Sequence, residues 1–122
     1  LKSADYSDTG VRVVRLENIG HLRFIADLET YIPPKKYAAL ARHALKPADV
    51  LFSSFVSERV RTCLVPSELG PAINKADCFC LRGNPSLVDA RFLAYRLASN
   101  STFAHMRALV RGVTRPRVNL SM

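Results

Sequence analysis

Two stretches of the chain each join a turn signal to a short run of β-branched, aromatic and Cys residues, and together they limit the folds open to it. Leu45-Lys46-Pro47-Ala48-Asp49 leads into Val50-Leu51-Phe52-Ser53-Ser54, and Ala72-Ile73-Asn74-Lys75-Ala76-Asp77 leads into Cys78-Phe79-Cys80-Leu81-Arg82. Each run has the length of one buried strand, so the pair predicts neighbouring strands of a sheet on which the rest of the chain packs. Side chains alternate along a strand. Phe79 and Leu81 should therefore share one face and Cys78, Cys80 and Arg82 the other, with one face core and the other only partly so.

The flanking segments supply further elements. Gly10 punctuates a polar opening before Val11-Arg12-Val13-Val14-Arg15-Leu16, a strand with one basic side that ends in the turn Glu17-Asn18-Ile19-Gly20-His21. A short strand is expected near Thr30-Tyr31-Ile32. Pro33-Pro34 suits a first helical turn, and Tyr37, Leu40, Ala41 and Leu45 then mark one face of a helix that Lys46-Pro47 stops. A strand over Val50 to Phe55 is followed by a charged loop, Val56 to Arg61, and a strand Thr62-Cys63-Leu64-Val65.

After Gly83-Asn84-Pro85, Asp89 is placed to cap a helix running to about Ser99. Its stripe of Ala90, Leu93, Ala94 and Leu97, broadened by Phe92 and Tyr95, predicts a largely buried helix. A second helix from about Thr102 to Val110 would present Phe103, Met106 and Val110 to the core, with Gly112 as its C-cap. The end of the chain is basic and extended, since Pro116 cannot be helical there. Mixed strands followed by helices predict an α+β domain with a small mixed or antiparallel sheet.

At 122 residues the chain is expected to be one domain, and its apolar content fits a globular protein. No apolar run reaches the length of a membrane span, so a soluble protein is expected. Three cysteines, Cys63, Cys78 and Cys80, lack metal-ligand spacing and read as buried apolar filler in a reducing cytoplasm. The 18 Lys and Arg against 10 Asp and Glu leave a net charge of +8, which makes a polyanion a natural partner. Arg outnumbers Lys, and Arg suits bidentate phosphate and guanine contacts.

No nucleophile elbow, Walker-type phosphate loop, dinucleotide fingerprint or His-Glu-x-x-His helix occurs, so no enzymatic activity is expected. His21, His43 and His105 are far apart in sequence, and a Cys63 and His105 pair has no local support. The basic residues fall instead in loops and at element ends: Arg12 and Arg15, Arg59 and Arg61, Lys75, and Arg111, Arg115 and Arg117. On a rigid scaffold such residues can follow phosphates and reach base edges. Arg115 and Arg117 lead the expected DNA contacts, then Lys75, Arg59 and Arg61. Asn18 and Asn74 are candidate adenine readers, because an amide can pair bidentately with adenine.

Five segments in series also resemble motifs of one family. These are 10–19 (Gly-Val-Arg-Val-Val-Arg-Leu-Glu-Asn-Ile), 45–52 (Leu-Lys-Pro-Ala-Asp-Val-Leu-Phe), 73–79 (Ile-Asn-Lys-Ala-Asp-Cys-Phe), 88–97 (Val-Asp-Ala-Arg-Phe-Leu-Ala-Tyr-Arg-Leu) and 112–121 (Gly-Val-Thr-Arg-Pro-Arg-Val-Asn-Leu-Ser). They are similar to target recognition domains of the specificity subunit of type I restriction-modification systems. The resemblance implies a module that reads half of a split duplex DNA site and has no catalysis of its own. Its partners would be the methyltransferase (modification) and restriction subunits, and S-adenosylmethionine, ATP and Mg would belong to those. It also implies a fragment truncated at both ends and lacking the spacer helix. Where the family commonly has Gly, this chain has Ala48, which a type II turn would force to positive φ. It also lacks the Arg-and-glycine loop many members carry after this strand, so Ser53, Ser54, Arg59 or Arg61 would have to make that contact. The competing expectation is a protein-interaction module that docks a methyltransferase subunit while DNA is read elsewhere.

Overall fold

A computed structural model describes residues 1–110 and 116–119. The described residues form strands β1 (Val11–Val14), β2 (Tyr31–Ile32), β3 (Val50–Ser53), β4 (Thr62–Leu64), β5 (Ala72–Asn74) and β6 (Cys78–Leu81). Helices α1 (Pro34–Ala39), α2 (Ala90–Leu97) and α3 (Asn100–Leu109) complete an α+β fold. The strands form two sheets rather than one: β2-β1-β5, with β1 and β5 parallel, and the antiparallel β4-β3-β6. The stretches flanking the centre of the chain are indeed neighbours, with Val50 opposite Leu81 and Ser53 opposite Cys78. The sequence reading missed β5, whose Ala72-Ile73-Asn74 reads as part of a turn signal yet pairs in register with Arg12-Val13-Val14.

Two sheets arise because the strands have two apolar faces. Val14 and Ala72 of the first sheet meet Leu51, Cys63 and Cys78 of the second in a shared core, joined by Ile19, Leu45 and Val65. The alternate residues face outward: Val13, Ile32 and Ile73 pack under Tyr37 and Leu40 of the α1 region. On the far side of the second sheet Phe52 and Phe79 stack with ring centroids 5.9 Å apart. That face is covered by Leu97 of α2 and by Phe103, Met106 and Val110 along α3. The order of layers is helix, sheet, sheet, helices. Both faces of β6 are packed, the Cys78 face in the inter-sheet core and the Phe79 face partly buried, as alternation predicted.

Helix boundaries follow local chemistry. The Asp89 carboxylate accepts from the N–H groups of Arg91 (2.8 Å) and Phe92 (3.2 Å), and Ser99 caps α3 through Thr102. α1 stops at Ala39, and a 3-10 turn, Ala41–His43, follows. Leu45 therefore leaves the helical face predicted for it; its N–H bonds the Ala72 carbonyl, and its side chain enters the inter-sheet core. α2 also departs from expectation, because Phe92 and Tyr95 are 64% and 62% exposed and of its residues only Ala94 is buried. The buried Thr62 hydroxyl donates to the Ala94 carbonyl (3.0 Å) and ties this helix to β4. The Gly112 cap lies outside the described residues; α3 ends at Leu109, with Val110 as its extended C-cap.

The turn into β3 carries two related constraints. The Asp49 N–H bonds the Lys46 carbonyl across Pro47-Ala48, and Ala48 sits at φ +67°. A Cβ at such a φ costs about 1–2 kcal/mol. Asp49 itself is buried and accepts from the Lys46 N–H (2.8 Å) and from Arg82 Nε (2.7 Å) and Nη2 (2.5 Å). Burial pushes its carboxyl up, but these donors together outweigh that and hold it below the usual carboxylate range.

Replacing Ala48 by Gly should stabilise the protein by about 0.5–1 kcal/mol in urea unfolding, the relieved strain exceeding the extra unfolded-state entropy of glycine. Arg82→Met should cost about 2 kcal/mol at neutral pH, less than for a fully buried pair because Arg82 is half exposed and screened. A carboxylate with a depressed folded pKa stabilises above its unfolded value and loses that contribution as pH falls. The gap between wild type and Arg82→Met should thus close below about pH 4, and a pH-independent gap would contradict this origin.

Candidate nucleic-acid interface

One end of the second sheet gathers loops from distant parts of the sequence. β3 ends there, while β4 and β6 begin there, because both run antiparallel to β3. The β3–β4 loop brings Arg59 and Arg61, and the β5–β6 turn brings Lys75, closed by a bond from the Cys78 N–H to the Lys75 carbonyl (2.9 Å). The segment 116–119 lies alongside: the Val56 N–H bonds the Pro116 carbonyl (3.1 Å) and the Val118 N–H bonds the Ser54 carbonyl (2.9 Å). Arg117 stands over the Phe55 ring, 5.0 Å from its centroid, so a cation–π contact fixes its guanidinium at this end.

A further turn joins them. Ile19 pairs with Phe24, and the Gly20 N–H bonds the Arg23 carbonyl (2.9 Å), leaving His21-Leu22 at the tip. The Leu22 N–H bonds the first carbonyl of β4, at Thr62 (2.8 Å), and Leu22 is held at φ +57°. This docks His21 beside the β3–β4 loop, where His21, Ser57, Glu58, Arg59 and Arg61 line a cleft of about 420 Å³. Glu58 and Asp77 are acidic residues of the loops at this end, with Glu17 close enough to act on Cys78, against Arg59, Arg61, Lys75 and Arg117. Among the described residues none of these four cations, nor Glu58, takes part in an ion pair.

Three other basic side chains near the sheets are engaged. Arg12 Nη2 donates to the carbonyls of Ala26 (2.8 Å) and Leu28 (3.0 Å), Arg15 lies 3.8 Å from Glu17, and Arg82 is bound to Asp49 at the opposite end of the second sheet. Arg111 and Arg115 lie outside the described residues.

The expected polar readers fare differently. Asn18 is 1% exposed; its carbonyl accepts from the Arg15 N–H (2.9 Å) and its amide donates to the carbonyls of Ile25 and Leu28 (2.8 Å each). It is an internal tie, and in this geometry it has no edge to offer a base. Ser53 is buried, with its hydroxyl accepting from the Phe55 N–H (3.1 Å) and Arg61 Nη2 (3.3 Å). Ser54 is also buried, and its hydroxyl has no hydrogen-bond partner among the described residues. Neither serine reaches the surface; Ser53 instead steadies Arg61. Asn74 is half-buried and donates to the Cys78 carbonyl (2.5 Å), closing the turn that presents Lys75. Sequence reading passed over His21 and Glu58, for which charge and a turn position were the available signals.

The thiols are chemically quiet. Burial pushes Cys63 up to about 12 and Cys80 up to about 11, and burial with the nearby Asp77 carboxylate raises Cys78 further, so all are protonated at neutral pH. Cys63 lies in the inter-sheet core, whereas His105 is on α3, which covers the other face of that sheet, so the two do not meet. Among the described residues no group of His, Cys, Asp and Glu is arranged to hold a metal ion, and no helix is long and apolar enough to cross a membrane. Comparison of the sequence with protein-family models and with curated proteins gives no match.

Asn18→Ala should cost about 2–4 kcal/mol in denaturant unfolding, because it strands the part-buried Arg15 N–H and removes the ties to Ile25 and Leu28. A variant of wild-type stability with altered base preference would return Asn18 to the list of readers.

Proposed function

We propose that this chain is a target recognition domain that binds duplex DNA sequence-specifically, as part of a type I restriction-modification specificity subunit in the cytoplasm. The observation that carries this reading is the convergence of Arg59, Arg61, Lys75 and Arg117 on one end of a rigid sheet. Fixed cations on short loops can neutralise phosphates in a set register without the entropic cost of ordering a long loop, and neighbouring loop residues are then held at the base edges. The domain needs no cofactor for this; methylation of adenine with S-adenosylmethionine, and cleavage with ATP and Mg, belong to partner subunits.

A second reading is favoured by the exposure of Leu87 (84%), Phe92 (64%) and Tyr95 (62%) in and just before α2. Aromatic side chains on a helix face, flanked by Arg91 and Arg96, are typical of a surface that binds protein. On this reading the domain docks a methyltransferase subunit and DNA is read elsewhere. The two surfaces lie on different elements and are compatible in one molecule.

Binding of the chain to a duplex, followed by fluorescence anisotropy, should weaken with a log–log salt slope near −4 to −5, as for about five neutralised phosphates. Lys75→Ala should reduce that slope by about one and weaken all sequences alike, whereas Lys35→Ala on α1 should leave it unchanged. A flat salt response would sink the DNA reading. Exchanging the domain within its parent subunit and sequencing methylated sites separates the two readings: a reader changes the methylated sequence, and a docking module does not.

A further inference from the structure

The tip of the β3–β4 loop combines opposite charges in a way that phosphate binding alone does not explain. Ser57, Glu58 and Arg59 are exposed, while Val56 and Val60 on either side are fully buried in the core beneath α3. The loop is further pinned by the Val56 N–H to Pro116 bond (3.1 Å) and by the Ser53 N–H to Arg61 bond (3.0 Å). A three-residue tip anchored on both sides by 0% exposed valines projects stiffly, so its side chains start from a restricted volume. Glu58 and Arg59 line the same cleft, together with His21, Ser57 and Arg61.

A carboxylate here opposes any polyanion. Against a phosphate it is repelled, and among the described residues no cation of the cleft is in ion-pair contact with it. Its acceptors match only a donor on the nucleic acid. In the major groove a G·C pair offers the cytosine N4 amino group on one base and the O6 and N7 acceptors on the other, which match a carboxylate and a guanidinium side by side. An A·T pair supplies an amino donor but no adjacent pair of acceptors for a bidentate guanidinium. Resting on the DNA-reading function above, we infer that Glu58 and Arg59 together read one G·C base pair from the major groove. Glu58 accepts from the cytosine amino group and Arg59 donates to the guanine edge, while Arg61 and His21 lie against the adjoining backbone. This assigns a specificity role to a residue whose charge is otherwise a handicap for binding.

The test is selection from a pool of randomised duplexes at low salt with the 122-residue chain, as wild type, Glu58→Ala and Arg59→Lys, alongside affinity for one fixed, unrelated duplex. Both substitutions are at exposed positions and should leave thermal stability unchanged. The wild type should demand G·C at one position. Glu58→Ala should lower discrimination at that position by about 5- to 150-fold while binding the unrelated duplex more tightly. Arg59→Lys should relax the same position, because an ammonium cannot make the bidentate contact. If Glu58→Ala keeps every base preference and tightens all duplexes by one factor, the carboxylate is a bystander and the inference falls. The inference also falls if the two variants affect different positions, or if the wild type binds every duplex equally. Failure of the wild type to bind any duplex would instead overturn the DNA reading itself.

Discussion

The fold depends on strands that are apolar on both faces. Val13 and Val14, Ala72 and Ile73, Leu51 and Phe52, and Cys78 and Phe79 are successive residues sent to opposite sides by the pleat. Neither sheet can satisfy both faces with water, so each must be covered twice. The two sheets cover one another, and helical segments cover what remains. Much of the architecture follows: α1 is held by Tyr37 against the first sheet, and α2 and α3 are held against the second by Leu97, Phe103 and Met106. Short strands of two to four residues survive in this arrangement because their side chains, rather than long ladders, supply the cohesion.

The polar residues divide according to the same layering. Those whose backbone lies inside the layers are drawn into internal ties: Asn18 to the carbonyls of 25 and 28, Thr62 to α2, and Asp49 to Arg82. Those on loops beyond the strand ends remain available, and antiparallel pairing of β4 and β6 with β3 brings two such loops to one edge. The basic end is thus a by-product of strand direction. Its rigidity comes from Val56, Val60 and Val118 beneath it, which belong to the same core as α3. A basic surface and a hydrophobic core are here two sides of one short loop.

Local chemistry was enough to determine several elements. Asp89 caps a helix where it was expected to, Gly10 and Pro47 punctuate where they stand, and alternation assigned Phe79 and Cys80 to opposite faces of β6. Such features are fixed within a few residues of chain, where backbone sterics and short-range hydrogen bonds act. The net positive charge and its concentration in loops were equally legible, since charge needs no fold to be counted.

Burial and pairing of distant segments needed the tertiary structure. Ala72-Ile73-Asn74 carries no strand signal of its own and becomes one because Arg12-Val13-Val14 presents a free edge. Phe92 and Tyr95 fit an apolar stripe on paper, yet they are left exposed because Leu93, Ala94 and Leu97 already fill the face of α2 nearest the sheet. Asn18, Ser53 and Ser54 resemble surface readers by type, and only the packing of remote segments over them turns them inward. The sequence by itself determined the class of fold, the Asp89 cap and the sign of the charge, which depend on near neighbours. Which polar groups reach solvent, and which cations share an edge, was decided by contacts between residues far apart in the chain.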